Sequence, residues 1–255
     1  MPAYGFVGAG EITAAIVEGL SGEGLSGDAP AVFLSPRGRQ VGQELATRFP
    51  NVAVCASNQD VLDAASAIVL AVRPAAAREV VAELEFRPDH VVLSAVAGVP
   101  LATLREWTAP AARVVRTIPL PQAARRQSRT ALFPDHPVAR DLFEPLGGVS
   151  VPPDEPTLDA FSTATATFAA HLDYLATIAG WLAGHGVEPG VADAYVTHLF
   201  AQLGQSLGTA SLTELTAKHT TPGGINEQLM TALRHDDVPG SVRHALDAVL
   251  ARLRE

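Results

Sequence analysis

Cysteine is almost missing from this chain: Cys55 is the one thiol among 255 residues. A disulfide framework within the chain is thereby excluded, and the composition fits a reducing compartment. Cys55 itself reads as a small buried or half-buried side chain. Positive charge is also short. With 18 Lys and Arg against 27 Asp and Glu, the formal net charge is −9, which argues against nucleic acid or an anionic membrane as a partner, since both need clustered cations. The one local basic group, Arg125, Arg126 and Arg129, reads as a solvated loop. No apolar run approaches the ~18 residues of a membrane span. The first residues carry no charged region followed by an apolar stretch and a cleavage site, so a cytoplasmic protein is expected. Metal-ligand spacing is absent too: the eight histidines show neither H-E-x-x-H nor pairs four apart on a helix face. They read as surface or interface residues, with His219 alone kept as a candidate for a direct role. Gly204-Gln205-Ser206-Leu207-Gly208 matches G-x-S-x-G, but a nucleophile elbow needs a strand before the serine and this one sits in a helical stripe. Close helix packing through the two glycines is its expected meaning.

What is present begins at the first twenty residues. A short apolar run ends in Gly8-Ala9-Gly10, and Ile12, Ile16 and Leu20 then mark one helix face at four-residue spacing. This is strand, glycine turn, helix. A helix that starts after such a turn aims its unpaired N–H groups, here from Glu11 and Ile12, and its positive dipole end at the turn, where a pyrophosphate fits. Gly8 permits the turn and Gly10 lets backbone approach the phosphates. The third position of G-x-G-x-x-G is Thr13, so the fingerprint is incomplete.

The first half continues as alternating strand-like and helical patterns, the signature of βαβ units and a parallel sheet. Strands are expected at 31–35, 52–55, 67–72, 91–94 and 113–116, and weaker edge strands at 129–133 and 149–151. At Pro152-Pro153-Asp154-Glu155-Pro156 the strand signals stop, and only helical patterns follow. The fold class is therefore α/β: an N-terminal Rossmann-type parallel-sheet domain over residues 1–152, then an all-helical domain over 153–255. From Leu158 to Leu182, apolar steps of three and four predict one long helix. It is apolar over most of its circumference, a surface that a chain of this size cannot easily cover alone, so an interleaved homodimer or a higher homo-oligomer is expected. Val191, Tyr195, Leu199, Leu203 and Leu207 mark a second helix, and Val238 to Leu253 the last.

Two stretches carry chemistry. At the end of the second strand, Ser35-Pro36-Arg37-Gly38-Arg39 has no carboxylate for ribose hydroxyls, while Arg37 and Arg39 stand where a 2′-phosphate would lie. NADPH rather than NADH is the expected cofactor. In Lys218-His219-Thr220-Thr221-Pro222-Gly223-Gly224-Ile225-Asn226, Thr221 is a good N-cap and Pro222 suits the first helical position. The N–H groups of Gly223 and Gly224 are then expected to be free to hold a carboxylate.

The order of these motifs resembles that of the pyrroline-5-carboxylate reductases. It runs Gly8-Ala9-Gly10, Asn58, Ala71-Val72-Arg73-Pro74, Ala97-Gly98, Val115-Arg116-Thr117-Ile118-Pro119, then Thr221-Pro222-Gly223-Gly224 in a helical half. The resemblance covers nearly the whole chain and implies hydride transfer from NADPH to the C=N carbon of a cyclic imino acid, giving proline. It places the cofactor on Gly8, Ala9, Gly10, Glu11, Ile12, Ser35, Arg37, Asn58, Val72, Arg73, Pro74, Ala95 and Ala97. It places the substrate on Pro222, Gly223, Gly224 and Ile225, with Thr221 and Asn226 nearest the chemistry. Departures surround the substrate site. The family's Met-Pro-Asn-Thr-Pro is Ile118-Pro119-Leu120-Pro121 here, Ser-Gly-Ser-Gly-Pro-Ala-Tyr is reduced to Ser162-Thr163-Ala164-Thr165-Ala166, and two threonines are replaced by Ile225-Asn226. Reduction of another imine, a carbonyl or a deazaflavin, or NADPH binding without turnover, are the other readings that these changes leave open.

Overall fold

The computed structural model describes residues 3–22 and 29–254. It divides into one compact unit of Met1–Ser162 with Arg252–Glu255 and a second of Thr163–Ala251. In the first unit lie β1 (Tyr4–Val7), β2 (Val32–Leu34), β3 (Val52–Val54), β4 (Ala67–Leu70), β5 (Val91–Ser94), β6 (Arg113–Ile118), β7 (Thr130–Phe133) and β8 (Val149–Ser150). They form one sheet in the order β3-β2-β1-β4-β5-β6-β7-β8. Every neighbouring pair is parallel except β6 and β7. The first six strands thus have the 3-2-1-4-5-6 order of the doubly wound dinucleotide-binding fold, whose ligands sit where the strand order reverses, here between β1 and β4. Of the two expected edge strands only β8 is one; β7 is paired on both sides.

Between the strands run α1 (Glu11–Ser21), α2 (Arg39–Arg48), α3 (Asn58–Ala64), α4 (Pro74–Ala82), α5 (Leu101–Trp107) and α6 (Pro137–Phe143). The apolar strands serve both faces at once, which is why they read as unbroken runs rather than as alternation. Tyr4 and Phe6 of β1 and Ala67 and Val69 of β4 enter one core cluster with α1 and α6, whereas Val7, Ile68 and Leu70 enter the other with α3, α4 and α5. His90, expected at the surface, is fully buried. Its Nδ1 accepts the Arg87 N–H at 3.0 Å and its Nε2 lies 3.1 Å from the Leu62 carbonyl, and burial lowers its pKa, so it serves the core as a neutral ring. The basic group is likewise not merely solvated. Arg126 donates from Nε to the Gly19 carbonyl at 2.9 Å and from Nη2 to Gly22 at 2.6 Å, satisfying the open carbonyls at the end of α1.

From Pro152 onward the described residues hold only helices: α7 (Glu155–Thr165), α8 (Thr167–Gly184), α9 (Pro189–Ser206), α10 (Leu212–His219), α11 (Ile225–His235) and α12 (Val238–Leu253). The single long helix expected over 158–182 is broken at Ala166. The Thr167 hydroxyl donates to the Ala164 carbonyl at 2.7 Å, and the Ala166 N–H donates back three residues to the Thr163 carbonyl. Threonines that compete for backbone acceptors at this point end one helix and begin the next. No residue of α8 is buried. On α9 the predicted stripe is also uncovered, with Val191, Tyr195, Leu199 and Leu203 between 41% and 59% exposed, while Ala192 and Val196 are the buried ones. Gly204 has nothing near a would-be Cβ, and Gly208 takes φ +85° just past the end of α9. Among the described residues, nothing packs against these glycines as the expected helix packing would require. α10 was not among the expected helices, although Ser211-Leu212-Thr213-Glu214 spells a capping box. The Ser211 hydroxyl takes the Glu214 N–H, and the Glu214 carboxylate takes the Ser211 N–H at 2.9 Å.

Candidate functional site

Parallel strands put all their carboxyl ends on one edge of the sheet, and that edge gathers the residues expected to hold a dinucleotide. Gly8, Ala9 and Gly10 follow β1, and Ser35 and Arg37 follow β2. Asn58 opens α3 after β3, Val72, Arg73 and Pro74 follow β4, and Ala95 and Ala97 follow β5. The turns are in mutual contact. Gly8 has φ +103°, and a Cβ there would lie 2.5 Å from the Ala71 carbonyl oxygen, so only glycine lets the β1 and β4 loops meet at the switch point. Similarly, a side chain on Gly38 would strike the Ala9 backbone, which brings the Arg37 loop against the phosphate turn. Thr13 explains the incomplete fingerprint. Its side chain is fully buried and donates to the Gly8 carbonyl at 2.6 Å, so a hydroxyl ties the first turn of α1 to the glycine turn.

Two observations test the fit of a dinucleotide. Gly10 caps α1 without a side-chain hydrogen bond, and a Cβ on it would meet no atom within 4 Å. The fold therefore leaves that position empty of protein, and the unpaired N–H groups of the first turn face the space. The second is Asn58 Oδ1, which is buried and has no hydrogen-bond partner among the described residues. A buried acceptor left open is costly unless a ligand donor reaches it. The residues present fit NADPH. Ser35 is buried and its hydroxyl accepts the Arg37 N–H at 3.3 Å, while the Arg37 side chain is exposed, available to a 2′-phosphate. Glu11 is the dissonant member, because it sets a carboxylate at the first helical position. Cys55, which follows β3, offers no nucleophile: burial and then Asp60 raise its pKa, so the thiol is kept protonated.

The expected substrate residues belong to the helical unit, where the structure corrects their local geometry. Thr221 is not the N-cap and Pro222 is not the first helical residue, since α11 begins at Ile225 with Gly224 as its N-cap. Proline in second place and Gly223 at φ +73° in third build a β-turn instead, closed by the Gly224 N–H on the Thr221 carbonyl at 2.8 Å. That bond uses the Gly224 donor. The Gly223 N–H is also engaged, donating to Glu227 Oε2 at 2.7 Å. Asn226 donates from its side-chain amide to the His219 carbonyl at 2.9 Å, which steadies the turn against the end of α10. Since Gly224 has no side chain, the first N–H groups of α11, at Ile225 and Asn226, have no side-chain cap. Asn226 also borders a groove of about 300 Å³ walled by Tyr174, Leu229, Met230, Leu233 and Arg234.

Arg116, whose sequence context assigns it no role, is only 7% exposed on β6. Its guanidinium donates to Glu155 Oε1 at 2.7 Å and to Asp159 Oδ1 at 2.9 Å, both on α7. Glu155 Oε1 also accepts the Leu101 N–H at 2.6 Å, capping α5 directly behind the loop that holds Ala95 and Ala97. Arg254 approaches the other oxygen of Asp159 at 3.9 Å. An arginine in a strand followed about forty residues on by Glu and Asp one helical turn apart was the available signal, but such pairing cannot be assigned without the fold.

Comparison with known proteins agrees with this geometry. Residues 3–98 match the family model described as NADP oxidoreductase, coenzyme F420-dependent, and residues 155–255 match the model for pyrroline-5-carboxylate reductase dimerisation. The pyrroline-5-carboxylate reductase of Pseudomonas aeruginosa is 26% identical, with 100% of this chain and 96% of the relative covered. That of Pisum sativum is 28% identical over 98% of this chain and 94% of its own. Among solved structures, 1-pyrroline-5-carboxylate reductase from Streptococcus pyogenes superimposes with TM-score 0.83 at 20% identity, over 99% of this chain and 98% of that one. Pyrroline carboxylate reductase from Plasmodium falciparum, with NADP bound, gives 0.78 at 15% identity over 99% and 97%. The fold, the sheet-edge geometry and the dimerisation model over residues 155–255 all liken this chain to the pyrroline-5-carboxylate reductases.

Proposed function

We propose that this chain is an NADPH-dependent reductase that converts the cyclic imine 1-pyrroline-5-carboxylate to proline. The observation that carries the reading is the carboxyl edge of the sheet in a chain similar to these reductases. A glycine turn sits at the switch point, open space lies before Gly10, and Asn58 Oδ1 waits without a donor. NADPH would supply the hydride for the C=N carbon there. An imine protonates readily, so the protein's part is placement and exclusion of water rather than elaborate acid–base chemistry. Gly8, Ala9 and Gly10, with the N–H groups of Glu11 and Ile12, would hold the pyrophosphate, and Ser35 and Arg37 the 2′-phosphate. Asn58, Val72, Arg73, Pro74, Ala95 and Ala97 would line the remainder. The helix start after Thr221-Pro222-Gly223-Gly224, with Ile225 and Asn226, would seat the substrate carboxylate. A cytoplasmic setting suits a chain with one thiol and this reductant.

The test is NADPH oxidation, followed optically, over a panel of cyclic imines with and without a carboxylate. Turnover of pyrroline-5-carboxylate is expected, with NADPH at least about tenfold better than NADH, a difference of ~1.4 kcal/mol. Replacing Arg37 by Glu should erase that preference. Equal use of both cofactors by the wild type would remove Arg37 from the site. Absence of turnover on every imine would leave only cofactor binding.

The helical unit would complete itself by pairing with a second copy. Leu172 at 66% and Trp181 at 60% exposure on α8, with the open stripe of α9, form an apolar surface too large to leave in water. We infer an interleaved homodimer as the smallest stable form, and light scattering should give at least twice the chain mass. A well-folded monomer at micromolar concentration would refute it.

A further inference from the structure

The two capping arrangements in the helical unit differ in a way that matters for the substrate. At α10 the box is complete: Ser211 supplies the cap oxygen and Glu214 returns the favour. At α11 the N-cap is Gly224, which has nothing to give, and Glu227 reaches past it to the Gly223 N–H at 2.7 Å. A carboxylate belonging to the chain thus lies on the glycine turn, beside the N–H groups of Ile225 and Asn226. Within the proposed function, a substrate carboxylate is to be received there. Two carboxylates cannot share a few N–H donors without repulsion, and the internal one has no translational entropy to lose.

We propose that Glu227 is a specificity-determining residue that competes with the substrate carboxylate for the start of α11 and so sets a deliberately weak hold on carboxylated imines. This inference rests on the proposed substrate seat. The substrate must displace Glu227 from Gly223, or bind beside it against its charge. Removing the competitor therefore improves binding of the acid, the reverse of what loss of a structural cap would do. Neutral imines make no demand on the donors and are indifferent to the change.

The experiment compares wild type, Glu227→Gln and Glu227→Ala. For pyrroline-5-carboxylate, KM should fall by about fivefold or more in the Gln variant, which keeps an acceptor but loses the charge. It should fall further in the Ala variant, which also frees the Gly223 donor. For 1-pyrroline, which lacks the carboxylate, KM should stay within about twofold, as should the affinity for NADPH. Calorimetric titration with L-proline in the presence of NADP gives the same comparison without turnover, and tightening of similar size is expected. If KM for the acid and the proline Kd are unchanged or rise in both variants, or if no protein binds proline, Glu227 is only a helix cap and the inference falls. If proline binding tightens while pyrroline-5-carboxylate is not reduced by any of the three, Glu227 keeps its role and the proposed activity is what fails.

Discussion

Replacing Arg116 by methionine should lower the unfolding midpoint by on the order of 10 °C. The side chain is 8% exposed and its two partners, Glu155 and Asp159, are 27% and 11% exposed, so its removal strands two carboxylates in a place that water reaches poorly. Breaking a buried pair by deleting one partner costs about 3–5 kcal/mol, because the remaining charge keeps its desolvation penalty and loses its compensation. At ~2–4 °C per kcal/mol for a unit of this size, the shift follows. Arg254, 47% exposed and 3.9 Å from Asp159, can take over only part of the role. The decisive control is the triple variant Arg116→Met, Glu155→Gln, Asp159→Asn, in which no charge is left over. Calorimetry should show it recovering most of the loss. If the single variant melts within 2 °C or so of wild type, the cluster is not a buried network and Arg116 is free to be read otherwise.

The second large effect is expected at Gly10, and it should leave stability alone. Gly10 has φ −101° and ψ −166°, extended backbone open to any residue, and a Cβ would meet nothing within 4 Å. Valine there costs the fold no more than ~1 kcal/mol as a poorer helix cap. It does, however, place a branched side chain where the pyrophosphate must approach the N–H groups of α1. Losing one or two charge-assisted hydrogen bonds at about 1.5–3 kcal/mol each should weaken NADPH binding by roughly a hundredfold or more. Gly8→Val is the contrasting case. With φ +103° and a Cβ 2.5 Å from the Ala71 oxygen, it should disrupt the sheet edge itself and yield little folded protein. A Gly10→Val protein that melts normally and still binds NADPH as wild type does would remove the dinucleotide from this turn.

The strands are legible in the sequence because each carries an apolar run bounded by turn residues, and the strand expected at 91–94 is β5, Val91–Ser94. The last helix, α12, was likewise marked from its first to its last apolar residue, Val238 and Leu253. What failed was local competition among polar groups. Thr167 takes a backbone acceptor and splits the expected long helix. Pro222 with Gly223 closes a turn where a helix start was expected. Arg126, read as solvated, folds back on α1 across more than a hundred residues. In the cofactor region the candidates converge because one parallel sheet sends every strand end to the same edge. Asn58 is singled out by the resemblance alone, and its open acceptor follows from the packing around it. Around Thr221 no sheet imposes such convergence, and the role of Glu227 was invisible until its bond to Gly223 was seen.

The return of the chain's last residues has a consequence for how this protein could be taken apart. Arg252 to Arg254 belong with the sheet unit, and Arg254 reaches both the Pro156 carbonyl at 3.2 Å and the neighbourhood of Asp159. Both points at which the chain crosses the boundary of the sheet unit, after Ser162 and before Arg252, therefore fall within a few residues of this approach. Exchange of residues 163–251 as a cassette between relatives is then a matter of matching two adjacent splice points. A graft that stops short of Arg254 omits the closing staple.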